Sequence, residues 1–156
     1  MNDIINIIAN IIGLIMDMFK NLKNDSKYYW TNHVKEKMMF YNIVPSRIKR
    51  VLRAPYRHEL GIADNTFACM QQIGSKKKPQ ELWVMYQIRK QLQTGKKKLS
   101  ELDLNILAKL GDEELNKISE FKPQIIIISA WRYPGISPKK DGVPIPEDIK
   151  KVFGFI

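Results

Sequence analysis

The sequence predicts an α+β fold: helices first, then a mainly antiparallel sheet of about four strands, with a helical insertion before the last strand. Three stretches carry that expectation. His33–Pro55 (HVKEKMMFYNIVPSRIKRVLRAP) reads as two short helices, each interrupted by turn-forming residues or proline. Residues 56–88 hold three strand-like segments separated by polar turn signals. Residues 124–133 hold four consecutive isoleucines, Ile125–Ile128, a run expected of a central strand buried on both faces.

The elements follow in chain order. Residues 1–24 form an amphipathic helix, with Ile4, Ile8, Ile11, Ile15, Met18 and Leu22 along one face and Asn6, Asn10, Asp17 and Lys20 opposite. Thr31 suits the N-cap of a helix running to about Tyr41, and Asn42–Pro45 break it. Pro45 suits a first helical turn, and the second helix runs to about Arg53 before Pro55 ends it. Strands are expected over residues 56–62, 66–73, 81–88 and 124–133, with Asp64 and Asn65 turning between the first two. Residues 89–122 read as a helical insertion: Leu102, Leu107 and Leu110 end at Gly111, and Leu115, Ile118 and Phe121 form a second stretch. Residues 134–156 hold four of the eight prolines and should cross the surface as an extended arm. The arm closes in a dipole-matched helix from Pro146 to Gly154. Residues 25–133 therefore form the main domain.

Charge narrows the function. The net charge is +10, and residues 26–60 carry eight Lys or Arg against two Glu, a local balance of +6. Such a surface favours polyanions. The lone Cys69 excludes an intrachain disulfide and a cysteine-rich zinc site, and fits a buried thiol in a cytoplasmic protein. The chain has no glycine-rich phosphate loop, HExxH or GxSxG, so neither metal nor cofactor is expected. The first helix lacks the charge pattern of a secretory signal, and crossing a bilayer would bury Asp17. Packing on the domain or self-association through residues 1–22 is expected ahead of membrane contact.

The remaining groups suit metal-free RNA cleavage, which needs a base, an acid and cations around the phosphorane. His33, Lys37 and Tyr41 fall on one helical face. Arg132 ends the last strand between Trp131 and Tyr133, a setting for phosphate binding beside base stacking. Arg47, Lys49, Arg50 and Arg53, with Arg57 beyond them, form a substrate rail. Blander readings stand beside these: Trp83, Trp131 and Tyr86 suit a core, Glu59 suits an ion pair with Arg57, and the Lys76–Lys78 and Lys96–Lys98 runs suit solvated loops.

The pattern His33-x-x-x-Lys37-Met38, a turn with Ile43, a helix with Ile48, Val51 and Leu52, then strands closing on Arg132 resembles the small BrnT/RelE-like toxin-type domains of the barnase–EndoU–colicin–RelE fold class. The resemblance covers roughly residues 30–88 and 124–133. It implies a metal-independent RNA endonuclease held in check by a cognate antitoxin, with His33 and Arg132 as active-site residues. The insertion, first helix and C-terminal arm are additions to that pattern, and either terminal segment is able to cap the sheet. Two other readings use the same residues: a non-catalytic binder of RNA or the ribosome through the basic helix, and a structural protein that self-associates through its first helix.

Overall fold

A computed structural model describes residues 2–91 and 122–153. Helix α1 spans Asn2–Lys20, strand β1 Tyr28–Trp30, helix α2 Asn32–Phe40 and helix α3 Pro45–Arg53. Strands β2 (Arg57–Leu60), β3 (Phe67–Gly74), β4 (Pro79–Gln91) and β5 (Lys122–Pro134) follow, then a 3-10 turn and helix α4 at Glu147–Val152. The α+β class holds. The sheet has five strands, not four, and it is mixed: its order is β1-β5-β4-β3-β2, with β1 parallel to β5 and the rest antiparallel.

The additional strand is the short aromatic run Tyr28-Tyr29-Trp30, paired with Ile125–Ile127. Asparagine and aspartate hold it in place. Asn24 Oδ1 accepts from the Trp30 N–H at 2.7 Å, and Asp25 Oδ1 accepts from Tyr28 and Lys27 at 2.6 and 2.8 Å. Where β1 stops, Thr31 takes over. Its N–H and hydroxyl reach Ile127 O, the hydroxyl also reaches Ile128 O, and its Oγ1 accepts from Val34 N–H as the N-cap of α2. Helix α2 thus leaves the sheet and runs beside the edge of β5 that β1 no longer covers, protecting an otherwise open ladder.

A register shift opposite Met85 and Tyr86 leaves Ile128 unpaired, a β-bulge inside the isoleucine run. The bulge sets which residues face which layer. Ala130 pairs with Val84 and Arg132 with Leu82 on the helix-covered face. Ser129 pairs with Met85 and Trp131 with Trp83 on the opposite face. One core holds Val34, Met38, Ile48 and Val51 of the helices against Cys69, Leu82, Val84 and Ala130. The other holds Met70, Trp83, Met85 and Trp131 beneath Ile145 and Ile149 of the C-terminal arm.

The arm is therefore docked. Buried Ser137 donates from its N–H (3.0 Å) and hydroxyl (2.6 Å) to the buried Glu81 carboxylate, which also accepts from Trp83 Nε1 at 2.8 Å. The chain turns onto this face through Gly135, at φ 87°. The insertion expected over 89–122 is trimmed at both ends, since Arg89–Gln91 belong to β4 and pair as far as Lys122 in β5. Its helices, like Lys96–Lys98 and the Gly154 stop, lie outside the described residues.

Candidate nucleic-acid interface

His33, Lys37 and Tyr41 share one stripe of α2, as their spacing predicts, and the stripe faces α4. Lys37 Nζ forms an ion pair with Asp148 Oδ2, and the Tyr41 hydroxyl donates to Asp148 Oδ1 at 3.3 Å. His33 Nε2 lies 3.1 Å from Ser129 Oγ, and the imidazole stands edge-on to Phe153 with centroids 5.9 Å apart. Burial lowers the His33 pKa below 6.5, and the Lys37 charge lowers it further against the opposing pull of Glu36 and Asp148. Burial and then Asp148 push Tyr41 up to about 12. Burial works to raise Asp148, but its hydrogen bond and charge pairing with Lys37 outweigh this and hold the carboxyl below 3.8.

The sign of this linkage is testable. A histidine with a depressed folded pKa makes the fold less stable as pH falls from 6.5 toward the folded value. Lys37→Gln removes the cation and leaves Asp148 unneutralised, and both changes raise the His33 pKa. NMR titration of the imidazole should show the variant titrating closer to 6.5, with the acid loss of stability correspondingly smaller. An unchanged or lower pKa would contradict the geometry.

Arg132 does not join this stripe. Its Nε donates to Tyr41 O at 2.8 Å and Nη2 to Asn42 O at 3.0 Å, at the far end of α2. The eight-residue separation of His33 and Tyr41 is about 12 Å of helix. Asn42 has φ 53°, and the Asn42 and Ile43 N–H groups return to Met39 O and Met38 O, a Schellman end that Arg132 completes. Gln71 does the same for α3, donating to Ala54 O at 2.5 Å. Gln71, Leu82 and Arg132 are cross-strand neighbours on the helix-covered face, so one row of the sheet caps both helices. His33 and Arg132 therefore have different partners, Ser129 Oγ near the start of α2 and the Tyr41 and Asn42 carbonyls at its end.

Two residues expected at an RNA surface are internal. Trp131 is fully buried, lies parallel to Trp83 at 6.3 Å, and donates from Nε1 to Pro144 O at 2.9 Å, so it has no face for a base. Arg57 pairs with Glu59 at 2.6 Å and donates to Ser137, Lys139 and Gly142 of the arm. Its guanidinium is a structural clasp. Tyr133 is half-buried against the arm-side core, beside Arg132 and Val143. Cys69 is buried, and burial pushes its thiol up to about 12; His58 stands exposed on β2.

Helix α3 is different. Ile48 and Val51 are buried against β3 and β4, which turns Arg47, Lys49, Arg50 and Arg53 outward across one broad face. Arg47, Arg50 and Arg53 are exposed, and among the described residues no ion pair engages any of the four. Lys49 Nζ lies 5.2 Å from the Tyr28 ring centroid and Lys27 Nζ 5.4 Å from the same ring, so the cationic surface continues past the helix. Three residues that organise the region escape sequence reasoning: Ser129, Asp148 and Glu81. Asp148 gives a signal only as an acid in the first turn of a helix, which the helix dipole already explains. Comparison with protein-family models, with curated proteins and with solved structures finds no match.

Proposed function

We propose that this chain binds RNA through the outward face of α3, holding the phosphate backbone rather than cutting it. The observation that carries the reading is the set of four cations on α3 with no ion-pair partner among the described residues, beside a stripe whose Lys37 is already neutralised by Asp148. RNA is preferred to DNA on the resemblance to RelE-like domains; the charge alone selects any polyphosphate. Non-sequence-specific contact follows from the chemistry, since arginines on a convex helix meet phosphates while all three tryptophans lie in the core.

The test is fluorescence anisotropy with a labelled single-stranded RNA of mixed sequence, in chelator, across a salt series. Arg47→Glu with Arg50→Glu should weaken binding at least ~tenfold and flatten the salt slope by about 0.7 for each phosphate no longer neutralised. Unchanged affinity would end the proposal.

A nuclease reading retains one specific support: His33, whose lowered pKa leaves it unprotonated near neutral pH and able to accept a proton, hydrogen-bonded to Ser129. The same RNA, run on a gel, separates the two. Chelator-resistant fragmentation lost in His33→Ala would establish cleavage, and intact RNA would leave binding.

A further inference from the structure

Helix α1 is docked on the domain only at its end. Phe19 is buried with Tyr28 and Trp30, and Leu22 packs against the same cluster. Upstream, ten large apolar side chains between Ile4 and Met18 are each at least 40% exposed. Placed at 100° per residue, they occupy roughly 200° of the circumference. The remaining arc of roughly 160° carries Asp3, Asn6, Asn10, Gly13 and Asp17. The expected packing of this helix on the domain is thus met only at Phe19 and Leu22. Soluble monomers rarely leave so continuous an apolar surface in water, so something covers it.

The covering must fit width, length and charge. A single partner helix covers a stripe of roughly 100°, so pairing two copies leaves about half the apolar arc wet and brings together two chains of +10 each. Ile4 to Met18 rises about 21 Å, short of the ~30 Å hydrocarbon core, and no helix among the described residues is long and apolar enough to cross a membrane. A helix lying flat in a bilayer surface satisfies both limits: the wide arc enters the acyl boundary and the polar stripe faces water. Charge then favours an anionic surface. Lys20, Lys23 and Lys27 are exposed around the docked end of α1, and the Asp25 carboxylate between them is turned onto the Lys27 and Tyr28 N–H groups. Lys49 extends this collar over Tyr28.

We infer that α1 is an interfacial anchor that seats the protein on anionic lipid, with its apolar arc in the bilayer surface and the Lys20–Lys27 collar against the headgroups. This goes beyond the RNA reading and does not depend on it.

Vesicle flotation of the full chain tests the inference. Phosphatidylcholine vesicles containing about one-quarter phosphatidylserine should bind at least ~tenfold more protein than phosphatidylcholine alone at low salt. Ile8→Asn with Ile12→Asn should reduce that binding at least ~tenfold while circular dichroism of the domain is retained, because both side chains are exposed. Arg47→Glu with Arg50→Glu, which removes the RNA face, should weaken it less than the α1 substitutions do, because the apolar arc is left intact. Absence of binding overturns the inference, as does binding that survives the α1 substitutions or is abolished by the α3 pair. Concentration-dependent association that the α1 substitutions abolish, without vesicle binding, would assign the arc to a second copy instead.

Discussion

Arg57→Ala should destabilise the protein by about 3 kcal/mol and release the C-terminal arm. Only 8% of the Arg57 side chain is exposed, against 29% for its partner Glu59. Its guanidinium spans the Glu59 carboxylate, the Ser137 hydroxyl and the carbonyls of Ser137, Lys139 and Gly142, at 2.6 to 3.4 Å. It also lies 5.3 Å from the Trp83 ring centroid. Removing one partner of a buried pair costs about 3–5 kcal/mol because the other is left desolvated; the partial exposure of Glu59 places this case at the lower end. For a chain of this size the midpoint of thermal unfolding should fall by roughly 10 °C. Limited proteolysis should cut near residues 135–146 in the variant before the rest of the chain. Lysine should rescue little, since a point charge cannot reach acceptors arrayed around a planar fork. A change below about 0.5 kcal/mol would mean the arm is held by its apolar contacts and the Glu81–Ser137 hydrogen bonds without help from Arg57.

Helix ends and antiparallel strands are legible in the sequence because they have local causes. Thr31 as N-cap, Pro45 in the first turn of α3, and the turn at Asn65, with φ 58°, are each written in a residue type and its neighbours. Strand β1 is not legible because three residues cannot show a period, and what makes them a strand is Ile125–Ile127, about 97 positions away. The bulge at Ile128 is equally hidden. A run of four isoleucines has no alternation from which a skipped residue could be read, yet that residue decides which face Ser129, Trp131 and Arg132 occupy. Site reasoning fails where it treats charge as availability. Arg57, Arg132 and Lys37 look like the α3 cations in sequence. Their partners are Glu59 and arm carbonyls, the end of α2, and Asp148, and only Glu59 is nearby in the chain. The α3 cations face outward as expected because the helical period itself turns them that way.

Trp83→Ala should be the most damaging single substitution, at about 4 kcal/mol. Trp83 is fully buried and sits in a cross-strand row running Arg57, Met70, Trp83, Trp131. Its indole stacks on Trp131 with the planes 5° apart, receives the Arg57 guanidinium on its face, and donates Nε1–H to Glu81. Truncation therefore opens a cavity of indole size and also strips a donor from a buried carboxylate. Trp83→Phe keeps a six-membered ring, so it leaves a smaller cavity while still removing the donor; it should cost about 2 kcal/mol. The row also predicts coupling. A phenyl ring holds a cation less strongly than an indole, so Arg57→Ala in a Trp83→Phe background should cost less than in the parent by about 0.5–1 kcal/mol. Denaturant unfolding of the four proteins measures the cycle. Strict additivity would show that the guanidinium and the ring are neighbours without an energetic bond, leaving Arg57 to hold the arm through its hydrogen bonds to Ser137, Lys139 and Gly142.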